Sequence, residues 1–257
     1  MNTGELINRI DSRKKVITMH GLSLEQWQTL YGIFAAFHNR LQWIKLFGSR
    51  ARGDYKEASD IDLAIGTAEE VVTDLTIALE QSQLPYTFDI IDYNHQPNQK
   101  LREAIDRDGI LLWAKKGDGS LIMTDEILQL KREEYHKVLT RLQTALQKEP
   151  DDDDMVLDAT IQRFEFTFEL AWKLLKALLD YEGIEANSPR SCIREAWKQH
   201  LIKDAEQWLD MQTKRNLSSH TYNEATALEI YQCIKEKYIS LLTELDQTVE
   251  ARLKAEE

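Results

Sequence analysis

The chain has 257 residues, of which 42% are hydrophobic and 30% charged, and a formal net charge of −12. That is enough chain for one large or two ordinary domains, and the acidic balance argues against a broad nucleic-acid-coating surface. No apolar run reaches about 18 residues, the polar stretch from Met1 to Lys15 has no signal-peptide core, and Cys192 and Cys233 have neither disulfide-framework nor zinc spacing. We therefore expect a protein of the reducing cytoplasm with no membrane partner.

Residues 1–20 read as a mixed polar arm. Ser23-Leu24-Glu25-Gln26 is a capping box, and it opens an amphipathic helix with Leu24, Trp27, Leu30, Tyr31 and Phe34 on one stripe. A strand is predicted over 42–47, then a Gly-Ser turn and a second strand over 60–65. A helix follows from Glu69 to Ser82, with Val72, Leu75 and Leu79 inward, and a strand over 86–92. A helix over 97–107 and a short buried strand at Ile110-Leu111-Leu112-Trp113 complete this half. The pentad Lys115-Lys116-Gly117-Asp118-Gly119 marks the domain boundary. Residues 1–118 thus form one α+β domain, a small mixed sheet with helices.

Residues 121–257 read as an all-α, up-and-down helical bundle. Asp125 to Gln147 carries helical spacing, and Pro150 with the acidic run Asp151-Asp152-Asp153-Asp154 breaks it; that run is a solvated loop and a favourable first turn. The longest helix, 155–182, sets Leu157, Ile161, Phe164, Phe168, Ala171, Trp172, Leu175 and Leu179 inward, and Gly183 closes it. Ser188-Pro189 starts another helix and Asp204 caps the next. The last runs from about Tyr222 to Leu253, with Leu228, Tyr231, Ile234, Tyr238 and Leu241 inward. Trp172, Trp197 and Trp208 are read as core.

The chemistry concentrates in Leu46-Phe47-Gly48-Ser49-Arg50 and Ser59-Asp60-Ile61-Asp62-Leu63. Strand alternation sends Asp60 and Asp62 to one face and Ile61 and Leu63 to the other. Paired carboxylates repel unless a cation sits between them, and hard oxygen ligands at this spacing suit Mg²⁺ together with substrate phosphates. Gly48 and Ser49 would let the backbone approach a phosphate, and Arg50 and Arg52 would contact it, unless they are simply solvated. A polar-edged strand with solvated acids is the plainer alternative. In the second half, Lys214-Arg215-Asn216-Leu217-Ser218-Ser219-His220-Thr221-Tyr222 packs a cation, an amide, hydroxyls, an imidazole and a phenol together. By chemistry alone this is a polar helix junction, with Ser219 as a cap and Arg215 paired to an acid.

The spacing G-S-x10-D-x-D resembles the signature of minimal nucleotidyltransferases related to DNA polymerase β. That resemblance implies a third acid on a later strand, assigned here to Asp89 of Tyr86-Thr87-Phe88-Asp89-Ile90-Ile91-Asp92, with Asp92 as the fallback. It also implies metal-dependent transfer of a nucleoside monophosphate, with ATP as the substrate. Asp60, Asp62 and Asp89 would ligate Mg²⁺ or Mn²⁺, and Gly48, Ser49, Arg50 and Arg52 would hold the triphosphate.

Residues 161–173, Ser188-Pro189-Arg190 and Arg215-Asn216-x3-His220-Thr221-Tyr222 look like the HEPN family. They are most similar to its nucleotidyltransferase substrate-binding branch, whose bacterial and archaeal members are commonly encoded beside, or fused to, a minimal nucleotidyltransferase. The resemblance implies two activities. In the first, a metal-independent ribonuclease, Arg215 would stabilise phosphoryl charge, Asn216 would position it and His220 would act as general acid/base on RNA. In the second, a toxin–antitoxin-like system, Tyr222 would be the acceptor of AMP. A homodimer through the helical bundle, and a substrate-binding module without catalysis, are further implications.

Overall fold

The computed structural model describes residues 18–67, 70–117, 119–148, 150, 154–218 and 224–255. The chain divides into two compact units, Met1–Leu121 and Ile122–Glu257.

The first unit begins with a hairpin, β1 (Thr18–Met19) and β2 (Leu22–Ser23), where the sequence suggested only an arm. Its turn places His20 (φ 52°) and Gly21 (φ 79°) consecutively in left-handed conformations, the geometry a two-residue hairpin turn needs. Ser23 then caps α1 (Leu24–Ala36): its hydroxyl accepts the Gln26 N–H at 3.3 Å, and the Gln26 side chain accepts the Ser23 N–H at 2.8 Å. The expected capping box is therefore present, and α1 buries Trp27, Leu30 and Phe34.

Four strands form the main sheet: β3 (Leu41–Phe47), β4 (Ile61–Thr67), β5 (Phe88–Asp92) and β6 (Ile110–Ala114), in the order β5-β4-β3-β6. β3 is antiparallel to β4 and β6, whereas β4 and β5 are parallel. A parallel pair needs a long crossover, and α3 (Val72–Glu80) lies in it. Between β3 and β4 the expected Gly-Ser turn is a short helix, α2 (Gly48–Arg52), and α4 (Gln99–Asp108) precedes β6. Ile44, Leu46, Ile61, Leu63 and Ile65, alternate positions on β3 and β4, are at most 1% exposed. On the other face Phe47, Ala64 and Ile105 of α4 cluster with Trp43, Ile91, Tyr93 and Leu101. Phe47, at the end of this cluster, pairs with Asp62, and Asp62 pairs with Asp89 on the same face.

The second unit is helical: α5 (Asp125–Ala145), α6 (Asp154–Tyr181), α7 (Pro189–Lys198), α8 (Ala205–Ser218), α9 (Glu224–Cys233), a π-helical turn (Ile234–Tyr238) and α10 (Ile239–Lys254). Leu157, Phe164, Phe168, Ala171, Leu175 and Leu179 of α6 are buried as the periodicity predicts, and Leu174 and Leu178 join them. Ser188 and Pro189 start α7 through a second capping box, closed by Ser191. Two apolar positions depart from expectation. Trp208 is core at 1% exposure and Trp172 packs partly buried against it, but Trp197 is 52% exposed on the outer side of α7 and Leu228 is 39% exposed. A ten-residue helix held by one narrow stripe leaves its remaining positions to solvent. α9, the π turn and α10 follow one another directly where a single long helix was predicted. Within the turn, Tyr238 stacks on Phe164 at 5.8 Å and donates its hydroxyl proton to Asp210 at 2.5 Å. Among the described residues no helix is long and apolar enough to cross a membrane.

Candidate functional site

Register brings the acids together. Phe47 pairs with Asp62 across β3 and β4, and Asp62 pairs with Asp89 across β4 and β5. Partners in a parallel register point to the same side, so Asp62 and Asp89 stand side by side on the sheet face that Phe47 also uses. Asp60 lies one pleat before Asp62. Burial is the first cause that raises the Asp62 carboxyl above its usual range, and repulsion from Asp89 and then Asp60 adds to it, against a smaller opposing pull from Arg52 and Arg50. Both neighbouring carboxylates therefore act electrostatically on Asp62.

Gly48 faces this group. Its φ of +71° is left-handed, and a Cβ there would overlap the Asp62 carboxylate, with Asp62 Cγ at 2.9 Å. Only glycine satisfies both demands. The glycine of the Gly-Ser pair is thus the seat of Asp62. Ser49 is half-buried, and its carbonyl accepts the Asp54 N–H at 3.1 Å, which closes the α2 turn. Arg52 is exposed beside Asp54 at 3.2 Å.

Arg50 corrects the sequence reading. It was expected at the phosphates, yet it is 0% exposed and its guanidinium is aimed at main-chain carbonyls of His20, Glu57, Ser59 and Asp60. Tyr86 and Tyr55 lie against it, with ring centroids 4.6 and 5.3 Å from Cζ. Sequence reasoning missed this cage; the available signal was two tyrosines and the His20-Gly21 turn, none of which is near Arg50 in a strand or helix repeat. Asp92, the fallback acid, accepts the Asn94 N–H at 2.9 Å and lies 2.7 Å from His95 Nδ1. It ends β5 in a turn, away from the acid group.

A metal is implied by the acids and can be tested against what the chain provides. Among the described residues no group of three or more His, Cys, Asp or Glu side chains is placed so that it could hold a metal ion by itself, Asp60, Asp62 and Asp89 included. Mg²⁺ rarely asks for such a group, because it is usually held by one or two carboxylates, waters and substrate phosphates. A half-buried Asp62, raised first by burial and then by two neighbouring carboxylates, suits that partial role, since a cation offsets both.

In the second unit Arg215 and Asn216 lie in the last turn of α8, 3.3 Å apart through Nη1 and Oδ1. Arg215 is 3.7 Å from Glu169 of α6, which also accepts the Trp172 indole N–H at 3.0 Å and pairs with Lys173 at 3.0 Å. Burial works against the Glu169 carboxylate, but Trp172, Lys173 and Arg215 together hold it below its ordinary value. The Ser218 hydroxyl is 2.5 Å from Glu165 and 2.8 Å from the Arg215 carbonyl. The junction reading, in which Arg215 pairs with an acid, describes this arrangement. A cleft of about 460 Å³ beside it is lined by Met155, Asp158, Gln162, Glu165, Ser218 and Ile230, among others. His220 and Tyr222, with Ser219 and Thr221, lie outside the described residues, as do Asp151 to Asp153.

The first unit thus has the sheet and the paired acids of a nucleotidyltransferase domain, and the second is an all-α bundle. The polymerase β nucleotidyltransferase family matches residues 32–118, and the family described as nucleotidyltransferase substrate binding protein like matches residues 130–251. A Haemophilus influenzae protein named probable ribonuclease HepT is 31% identical over 99 residues, covering 37% of this chain and 68% of that protein. A Thermus thermophilus protein of known crystal structure is 36% identical, covering 47% of this chain and 98% of its own at a TM-score of 0.40. A Haemophilus influenzae structure, described as revealing the fold of a substrate binding domain of a nucleotidyltransferase, is 23% identical over 49% of this chain and 99% of its own, with a TM-score of 0.37. The chain belongs to the HEPN-like nucleotidyltransferase substrate-binding family through its second unit, joined to a polymerase β-type nucleotidyltransferase domain.

Proposed function

We propose that the first unit transfers AMP from ATP to a hydroxyl acceptor, and that the acceptor is Tyr222 of the helical unit, in this chain or in a second copy paired through the bundle. The observation that carries this reading is the register of Asp62 with Asp89 against Gly48. Asp60, Asp62 and Asp89 would hold Mg²⁺ or Mn²⁺, which when bound neutralises phosphate charge and lowers the pKa of an acceptor hydroxyl. Gly48 and Ser49 leave room for the triphosphate to approach the main chain, and the exposed Arg52 supplies a cation to it. The acceptor oxygen forms a bond to the α-phosphorus, the bond to the bridging oxygen breaks, pyrophosphate leaves, and the hydroxyl proton goes to water. A protein that carries both the transferring unit and the acceptor meets its target at high effective concentration, which suits a fused toxin–antitoxin-like pair.

Incubation with α-labelled ATP and Mg²⁺ should label the chain on the Tyr222 peptide. Labelling should vanish when Asp60→Asn and Asp62→Asn are combined; a double variant that still labels refutes the assignment. A chain that labels another acceptor, with Tyr222→Phe unaffected, removes Tyr222 and keeps the transferase.

A second reading is favoured by the likeness to the protein named probable ribonuclease HepT and by Arg215 lying beside Asn216 at the end of α8. In that reading His220, Arg215 and Asn216 cleave RNA without metal. Cleavage should be lost in His220→Ala, and equal cleavage by that variant counts against it.

A further inference from the structure

The guanidinium of Arg50 is buried completely, and every bond it makes among the described residues goes to a main-chain carbonyl. A buried cation is costly unless all its donors are used. Here Nη1 donates to His20 at 2.9 Å, Nη2 to Ser59 at 2.7 Å and to Glu57 at 3.4 Å, and Nε to both Ser59 and Asp60 at 3.1 Å. The faces of Tyr86 and Tyr55 contribute cation–π attraction. Gly21 leaves the room: a Cβ there would lie 2.7 Å from Arg50 Nη1.

The targets of Nε have a specific consequence. The carbonyls of Ser59 and Asp60 belong to the two peptide planes on either side of the Asp60 Cα. One donor that holds both planes fixes φ and ψ of Asp60, and with them the direction in which its carboxylate leaves the chain. The same charge pulls the Asp62 carboxyl downward, against its acidic neighbours.

We infer that Arg50 is a positioning residue: from the hairpin turn at His20-Gly21 and the loop at 57–60 it builds the backbone seat that aims Asp60 beside Asp62. The inference rests on the proposed nucleotidyl transfer for its catalytic meaning, and on the cage alone for its structural meaning. Lysine keeps the charge but lacks the planar fork, so Arg50→Lys separates aim from charge.

The test compares the full-length wild type with Arg50→Lys in three measurements. Amide exchange over residues 54–62 should rise, because the loop loses its clamp. Mn²⁺ affinity, read by electron paramagnetic resonance, should fall about tenfold, the scale on which a partner behind a metal ligand acts. In labelled-ATP transfer, kcat should fall about a hundredfold, as for a misaimed group, with KM for ATP within about threefold because no phosphate contact is lost. Wild-type exchange in 54–62, or a change confined to KM, overturns the inference. If Arg50→Lys does not fold, Gly21→Ala, whose methyl would lie 2.7 Å from Arg50 Nη1 and so push it off the His20 carbonyl, is read in the same way. A wild type that neither binds Mn²⁺ nor transfers AMP refutes the nucleotidyl transfer instead, and exchange over 54–62 still decides the role of Arg50.

Discussion

The two units present their polar residues by different means. In the first, backbone register does the placing: Asp62 and Asp89 meet because β4 and β5 pair, and like charges are forced together on a sheet face. In the second, side chains do it: on one helix end Arg215 is held by Glu169 and Ser218 by Glu165, both of α6, while Asn216 accepts from Arg215. One group is strained electrostatically and the other is compensated. A carboxylate raised above its usual range invites a cation, whereas one lowered by its neighbours already has its partners.

That contrast can be broken at several points. The largest expected effect is on β5, where Asp89→Asn should reduce AMP transfer about a thousandfold, the upper range for removing one preorganised charge. Asp92→Asn, three residues on and spent on Asn94 and His95, should leave transfer within about threefold. Equal losses would mean that the register pair is not the site.

Next is Gly48→Ala. Its methyl would overlap the Asp62 carboxylate in a left-handed backbone, so transfer should fall about a hundredfold. In the other unit, Arg215→Ala should cut metal-independent RNA cleavage about tenfold or more, while AMP transfer to an added acceptor stays at the wild-type rate. A loss of both activities would show that the units work as one.

The smallest effects are in stability against pH, and they have opposite signs. Asp62 is raised when folded, so the folded state binds more protons in the window above the ordinary carboxylate pKa; stability falls as pH rises through it. Asp62→Asn should therefore raise the melting temperature of the metal-free protein by a few degrees at neutral pH, with the gain fading in acid. Glu169 is lowered when folded, and it contributes stability that is present above its ordinary pKa and lost as pH falls. Glu169→Gln should lower the melting temperature at neutral pH, with the difference also fading in acid. Melting curves of both variants across pH check the pair.

Much of this was legible because it depends on short-range pattern. The capping box at Ser23, the α6 core stripe and the alternation through Asp60, Ile61, Asp62 and Leu63 all follow from residues a few positions apart. The family likeness came from spacing as well. The Asp62–Asp89 pairing needed the partner strand's register, which no local repeat encodes. Arg50 reads as a phosphate contact or a solvated cation because a charged residue beside a Gly-Ser pair looks outward-facing in sequence; its burial comes from Tyr55, Tyr86 and carbonyls 7 to 30 residues away. The β1–β2 hairpin escaped notice because strands of two residues carry almost no periodicity. Trp197 was assigned to the core by residue type alone, and its place on α7 sends it outward.

Among the described residues β5 pairs with β4 alone, at the margin of its sheet. Fraying there costs few buried contacts, yet a slip of one residue would turn Asp89 to the opposite side. Warming should consequently silence the transferase before calorimetry registers any melting.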